Sequence, residues 1–170
     1  MTTSRFEFDK LVKLLGRSEN DPEVKNFFGR QMSNIERAEY YGMLEFRADG
    51  VDVVFKEAPW VVSSERITDP KELYLAAFHL YGEGHHHFLE YTGNLPNGIV
   101  FGDPEAEVLR KLGQPLRRGS GGASSVTNEP IPRWLSFPLG DAILHIQLDA
   151  NGRVEMVTPR TRDVNLARTS

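Results

Sequence analysis

The sequence predicts an α+β protein made of two tandem repeats, each with short helices packed on an antiparallel β-sheet. Three observations carry that prediction. The phrase Glu23-Val24-Lys25-Asn26-Phe27-Phe28-Gly29 returns as Glu107-Val108-Leu109-Arg110-Lys111-Leu112-Gly113, and Asp-Pro precedes each copy. Each copy is followed by a strand-turn segment, L-E-F-R-A-D-G at 44–50 and W-L-S-F-P-L-G-D at 134–141. Beyond each helical phrase the apolar period changes from helical to alternating, the signature of strands with one buried face. The first half is expected over 1–92, the second over 93–160, with 161–170 a disordered tail that lacks an apolar pattern.

Within the first half, Phe6, Phe8, Leu11, Val12, Leu14 and Leu15 recur at helical spacing, and Gly16 is a stop signal. Asp21-Pro22 reads as an N-cap followed by proline in the first turn, which opens a second short helix that ends at Gly29. Leu44 and Phe46 alternate with Glu45 and Arg47. Asp49-Gly50 turns the chain, and Val51, Val53 and Phe55 form the next inward row, so a hairpin is predicted. Trp60–Ile67 is expected to add a third strand. Residues 69–81 fit two patterns: Leu73, Ala76, Ala77 and Leu80 share a helical face, while Leu73, Leu75, Ala77, His79 and Tyr81 share a strand face. Propensity favours the helix and the repeat favours a strand over Tyr74–Tyr81.

The turn-rich stretch Tyr91–Gly98 connects the halves. Gly102-Asp103-Pro104-Glu105 opens the second-half helix, which Gly113 closes. Residues 117–130 have the glycine-serine composition of a flexible loop. Trp134–Pro138, Ala142–Leu148 and Val154–Thr158 read as strands, with Asn151-Gly152 turning the last hairpin. Leu144, Ile146 and Leu148 face inward while His145 and Gln147 face away. Phe28, Phe46, Phe55, Leu112, Phe137, Leu144 and Ile146 are assigned to the core.

Composition narrows the function classes. The chain has 170 residues, no cysteine and a net charge of −4. Disulfides and thiolate metal sites are therefore excluded. Residues 61–110 hold three basic side chains against eight acidic ones, a balance of −5, whereas 111–170 hold eight against five. An acidic middle argues against nucleic acid, since phosphate binding wants a basic face. It suits a basic protein partner. No stretch has the length of a membrane span, and Met1–Glu7 lacks an apolar leader core, so a cytoplasmic protein without a membrane partner is expected.

The order E-V-x-x-x-L-G-x-P at 107–115, W-x-x-F at 134–137, L-H-I-Q-L-D at 144–149 and R-V-x-x-V at 153–157 resembles small immunity proteins of bacterial polymorphic toxin loci. The connector Y-T-G-N-L-P-N-G-I-V-F-G-D at 91–103 belongs to the same resemblance. The tandem arrangement of helices and antiparallel sheet is also similar to the beta-lactamase inhibitor protein. Outer-membrane lipoproteins of related helix-sheet shape carry a lipobox cysteine, which this chain lacks. The immunity resemblance covers most of residues 20–158 and implies a cognate protein toxin as partner, silenced by occlusion, with no catalysis and no cofactor.

On that reading the open sheet face and the acidic loops form the interface. Tyr40, Tyr41, Trp60, Tyr81 and Trp134, at strand starts and ends, would supply aromatic anchors, and Glu83, Asp103 and Glu105 would steer a basic partner. Asp103, Glu105 and Glu107 also have a plainer role, complementing a helix dipole. The alternative is a metal-binding protein or metal-dependent hydrolase centred on His79, His85 and His87, since His85 and His87 would project to one side of a strand. Nucleophilic catalysis has no support: Ser120, Ser124 and Ser125 lie in the glycine-serine stretch and no G-x-S-x-G elbow occurs. Gly119-Ser120-Gly121-Gly122 lacks the lysine of a phosphate-binding loop.

Overall fold

The computed structural model describes residues 4–162. Among these residues the three α-helices are short, and each stops where its sequence says it should. Helix α1 (Phe8–Leu14) buries Phe8, Leu11 and Leu14 along one face. Helix α2 (Pro22–Phe28) is capped by Asp21, whose carboxyl accepts the Glu23 amide at 2.8 Å, and it buries Val24 and Phe28. Helix α3 (Glu105–Leu112) has Glu105 and Glu107 in its first turn and Arg110 and Lys111 in its last, an order that complements the helix dipole.

Eight strands form one antiparallel sheet: β1 (Glu36–Ala38), β2 (Tyr41–Phe46), β3 (Val51–Glu57), β4 (Leu73–Tyr81), β5 (Arg117–Gly119), β6 (Trp134–Leu139), β7 (Ala142–Leu148) and β8 (Val154–Arg160). Their order is β1-β2-β3-β4-β8-β7-β6-β5. Each run of four strands meanders inward from an edge, and the two runs meet where β4 pairs with β8, Leu80 opposite Val157 and Tyr81 opposite Met156. Alternation decides which side chains face the helices. Val51, Val53, Phe55, Leu144, Ile146 and Leu148 do so, and they join Phe6, Leu11, Phe28, Phe78, Val108, Leu135 and Phe137 in one continuous core. Of the seven residues assigned to the core, six are buried and Leu112 packs at its margin. The connector enters the same core through Tyr91, Leu95 and Ile99, and the Tyr91 hydroxyl donates to the Phe6 carbonyl at 2.6 Å.

Two sequence expectations are corrected. Trp60–Ile67 is not a strand. Pro59 has no amide to give a ladder, and the amides of Val61 and Val62 both turn back to the Ala58 carbonyl. The segment forms two 3-10 turns, Ala58–Trp60 and Ser64–Arg66. It presses Ala58, Val61, Val62 and Ile67 onto Tyr74 and Ala76, on the sheet face away from the helices. That face is consequently covered at one end rather than wholly open. The glycine-serine stretch also begins with a strand, since Arg117–Gly119 pairs with Trp134–Ser136. Composition concealed it, because an edge strand takes its hydrogen bonds from its neighbour's backbone.

The ambiguous stretch 69–81 resolves as the long strand β4. Eight of its nine residues are buried, so it shows no alternation from which a strand could be read. Gly50, which follows the turn Arg47–Asp49, has φ of 70°. A Cβ there would lie 2.4 Å from both the Leu89 carbonyl oxygen and the Tyr91 amide nitrogen. Both are backbone atoms. Gly50→Ala is expected to destabilise the protein by about 2–4 kcal/mol, read as a lower urea midpoint.

Candidate binding face

The polar positions of the strands make a second, unexpected pattern. Strand register sets Glu45 opposite Asp52 and Asp52 opposite His79. The pairing of Ala77 with Arg160 and Leu80 with Val157 places Thr158 opposite His79. Thr158 pairs in turn with His145, His145 with Ser136, and Ser136 with Arg117. One rung of polar side chains thus crosses the sheet from β2 to β5 on the face opposite the helices. The neighbouring rung runs Tyr81, Met156, Gln147, Trp134.

Asp52 is the buried centre of this face, 3% exposed. The Tyr81 hydroxyl donates to its Oδ2 at 2.5 Å. His79 Nδ1 lies 2.8 Å from Oδ1 but outside hydrogen-bonding alignment, so Oδ1 accepts no hydrogen bond among the described residues. Burial, with the Asp52 carboxyl next, pushes the Tyr81 phenol well above its usual range and holds it as a neutral donor. His145 is moved the other way. Burial, with Arg160 and His79 adding to it, lowers its imidazole to about 4.

Above Tyr81 lies the histidine turn. The His85 ring stacks on Tyr81 at 5.3 Å and Phe88 packs against it at 4.3 Å, while His85 Nδ1 sits 3.6 Å from the Glu155 carboxyl. Burial lowers the His85 pKa, with Glu155 opposing. Glu155 also accepts from Gln147 Nε2 at 2.8 Å. Residues 85–87 are not a strand. They form a 3-10 turn with His86 and His87 at φ of 48° and 66°, and those two side chains are exposed. His85 and His87 therefore do not project together, and His79 is turned toward Asp52. Among the described residues no group of three or more histidine or carboxyl side chains is placed to hold a metal ion.

The eight residues expected at a partner interface occupy separate regions. Tyr40, Tyr41 and Trp60 are 51%, 43% and 52% exposed, and the β2–β3 register places their backbone at one corner of the sheet. There the Tyr40 carbonyl accepts the Glu57 amide at 3.0 Å, and Trp60 lies in the turn just beyond β3. Tyr81 is only 5% exposed, beneath His85 and Phe88, so it is an internal prop rather than an exposed anchor. Trp134 is half-buried on the sheet face, and Glu83 is exposed beside the histidine turn.

Asp103 and Glu105 lie at the start of α3, on the helical side, and both are engaged. Lys111 Nζ binds the Asp103 carboxyl at 2.7 Å and the Val100 amide donates to it at 3.0 Å. Burial raises the Asp103 pKa, but these two donors outweigh it and hold it below the usual range. Glu105 pairs with Arg133 and, at 3.9 Å, with Arg118. The residues missed from sequence are Asp52, Ser136 and Thr158. Their only signal was their place at the polar positions of alternating strands.

No family model matches the chain, and no curated protein matches it. Two solved structures are similar. One is an extracellular protein containing an SCP domain from Bacillus anthracis str. Ames, at 15% identity and a TM-score of 0.52, covering 98% of this chain and 49% of that one. The chain thus spans about half the length of that protein, and the likeness is one of fold. The other is a DUF4309 family protein (YjgB) from Bacillus subtilis subsp. subtilis str. 168, at 12% identity and a TM-score of 0.44, covering 90% of this chain and 97% of that one.

Proposed function

We propose that the chain is a non-catalytic binding module of the immunity or inhibitor type, which occludes a cognate protein toxin in the cytoplasm. The observation that carries the reading is the corner formed by Tyr40, Tyr41 and Trp60, three large aromatic side chains about half exposed where β2, β3 and the turn beyond it meet. Rigid aromatic anchors of this kind dominate protein interfaces, because they bury much area at little conformational entropy. The backbone beneath them is fixed by the β2–β3 ladder and by the Tyr40–Glu57 hydrogen bond. On the same reading, the two inward meanders with their helices are tandem copies of one helix-and-sheet unit. Charge steering is assigned to Glu83, which is exposed, rather than to Asp103 and Glu105, which already hold partners.

Co-expression with a toxic domain encoded beside the chain is the test. Growth is expected to be rescued by the wild type and lost with Tyr40→Ala, Tyr41→Ala and Trp60→Ala combined, since anchors of this kind contribute about 2 kcal/mol or more each. Rescue that persists in the triple variant, with both proteins folded, would remove this corner from the interface.

A further inference from the structure

The rung across the sheet face carries hydrogen-bonding capacity that the described residues leave unspent. Among the described residues Thr158 Oγ1 is buried and makes no hydrogen bond, and buried Asp52 Oδ1 has only the unaligned Nδ1 of His79, at 2.8 Å. The Ser136 hydroxyl reaches only the Arg117 carbonyl, at 3.5 Å. His145 is held neutral by its surroundings, so its ring offers one donor and one acceptor. His79 turns Nδ1 to Asp52, which leaves Nε2 for another group. Native proteins pair nearly all their buried polar atoms, so several such deficits in one rung mark a place for a polar ligand and its bridging waters.

Shape and charge indicate what kind of ligand. Thr158 lies between the longer imidazoles of His79 and His145, and Ser136 between His145 and Arg117, so the two short side chains form a floor, while His79, His145 and Gln147 keep part of their surface in solvent. From β4 to β6 the rung crosses three strand spacings, about 14 Å. At its far side Trp134 lies 5.1 Å from the His145 ring, inclined by 30°. Its indole rests on Gly119, where an added Cβ would meet Nε1 at 2.1 Å, so only glycine lets the ring lie there. The strands here carry both signs of charge, Asp52 and Glu155 against Arg160 and Arg117, so a ligand of either charge meets repulsion. An uncharged molecule with many hydroxyls meets neither objection, because each hydroxyl both donates and accepts and a sugar ring has an apolar face for an indole.

We infer that the rung binds a short neutral oligosaccharide, with hydroxyls bridging His79, Thr158, His145 and Gln147 and one ring stacked on Trp134. This site is separate from the aromatic corner and does not depend on a toxin partner.

Maltotriose, cellotriose and N,N′-diacetylchitobiose should each be titrated into the full chain, followed by calorimetry and by NMR of the indole and imidazole resonances. Saturable binding of at least one sugar is expected, with shifts at Trp134 and His145. Trp134→Ala and His145→Phe should each weaken it about tenfold or more. Thr158→Val preserves the side-chain shape, so it should weaken binding while the melting temperature stays level or rises. The inference is overturned if none of the three sugars binds, or if Trp134→Ala and His145→Phe leave the affinity unchanged. A Thr158→Val protein that melts higher while no sugar binds would indicate a hydroxyl met by water alone, and also overturns it. So would protection of Trp134 by a bound protein in a chain that takes up no sugar.

Discussion

Asp52→Ala is expected to destabilise the protein by about 3–5 kcal/mol, the range for removing one partner of a buried charged or strongly hydrogen-bonded group. The alanine would leave the Tyr81 hydroxyl, now 2.5 Å from its acceptor, facing an apolar methyl in a buried site. It would also remove the carboxyl beside His79. Asp52→Asn keeps an acceptor for Tyr81 and should lose much less. Tyr81→Phe removes only the donor and leaves the carboxyl without it, so about 1–3 kcal/mol is expected. Urea unfolding of the three variants reads the order directly. An Asp52→Ala midpoint within error of the wild type would mean that the network holds nothing together.

Acid will weaken the fold before its carboxyl groups protonate. His145 titrates at about 4 in the folded chain against 6.5 for a free imidazole, because of burial first and then Arg160 and His79. Between those values the unfolded chain binds more protons than the folded one, so stability falls as the pH drops. The contribution is complete above pH 6.5 and is lost progressively toward pH 4. His85 is shifted in the same direction by its own burial and adds to the slope. The whole His145 shift corresponds to about 3 kcal/mol, and solvent at its partly exposed ring reduces this to about 1–2 kcal/mol.

Asp21, Glu72, Asp103 and Glu107 are lowered, so their contribution is lost only in a more acidic window, below the 3.8 and 4.5 of free aspartate and glutamate side chains. His145→Phe should flatten the limb between about pH 6.5 and 5 while leaving the lower one intact. Equal slopes in wild type and variant would show that His145 is not the group responsible.

What the sequence disclosed, and what it withheld, follows from where each element gets its information. Helices α1, α2 and α3 carry their own signals, namely apolar spacing, Asp21-Pro22 and the glycines that end them, and all three form where expected. Strands β2, β3 and β7 send apolar side chains to the helices at alternate positions, so their sequence alternates. Strand β4 pairs with β3 and β8 and is buried throughout, so its pattern matched a helix as well as a strand. β5 has no pattern of its own, and 58–67 has valines without the backbone freedom to join a ladder. At the site, the exposed aromatics of the corner were readable as residue types. Tyr81 was readable as an aromatic at a strand end, but its burial depends on the turn at His85–Phe88 folding over it. The rung was not readable at all, since register between distant strands is a property of the assembled sheet.

The proposed capture of a protein toxin by Tyr40, Tyr41 and Trp60 requires a stable complex that these side chains hold together. Calorimetric titration of the chain with the product of the adjacent gene, repeated with the triple alanine variant, is the decisive measurement. A one-to-one complex that silences the toxin, and that the triple variant weakens by about a hundredfold or more, is predicted. No complex, or one whose affinity is unchanged by removing all three aromatic side chains, would contradict it.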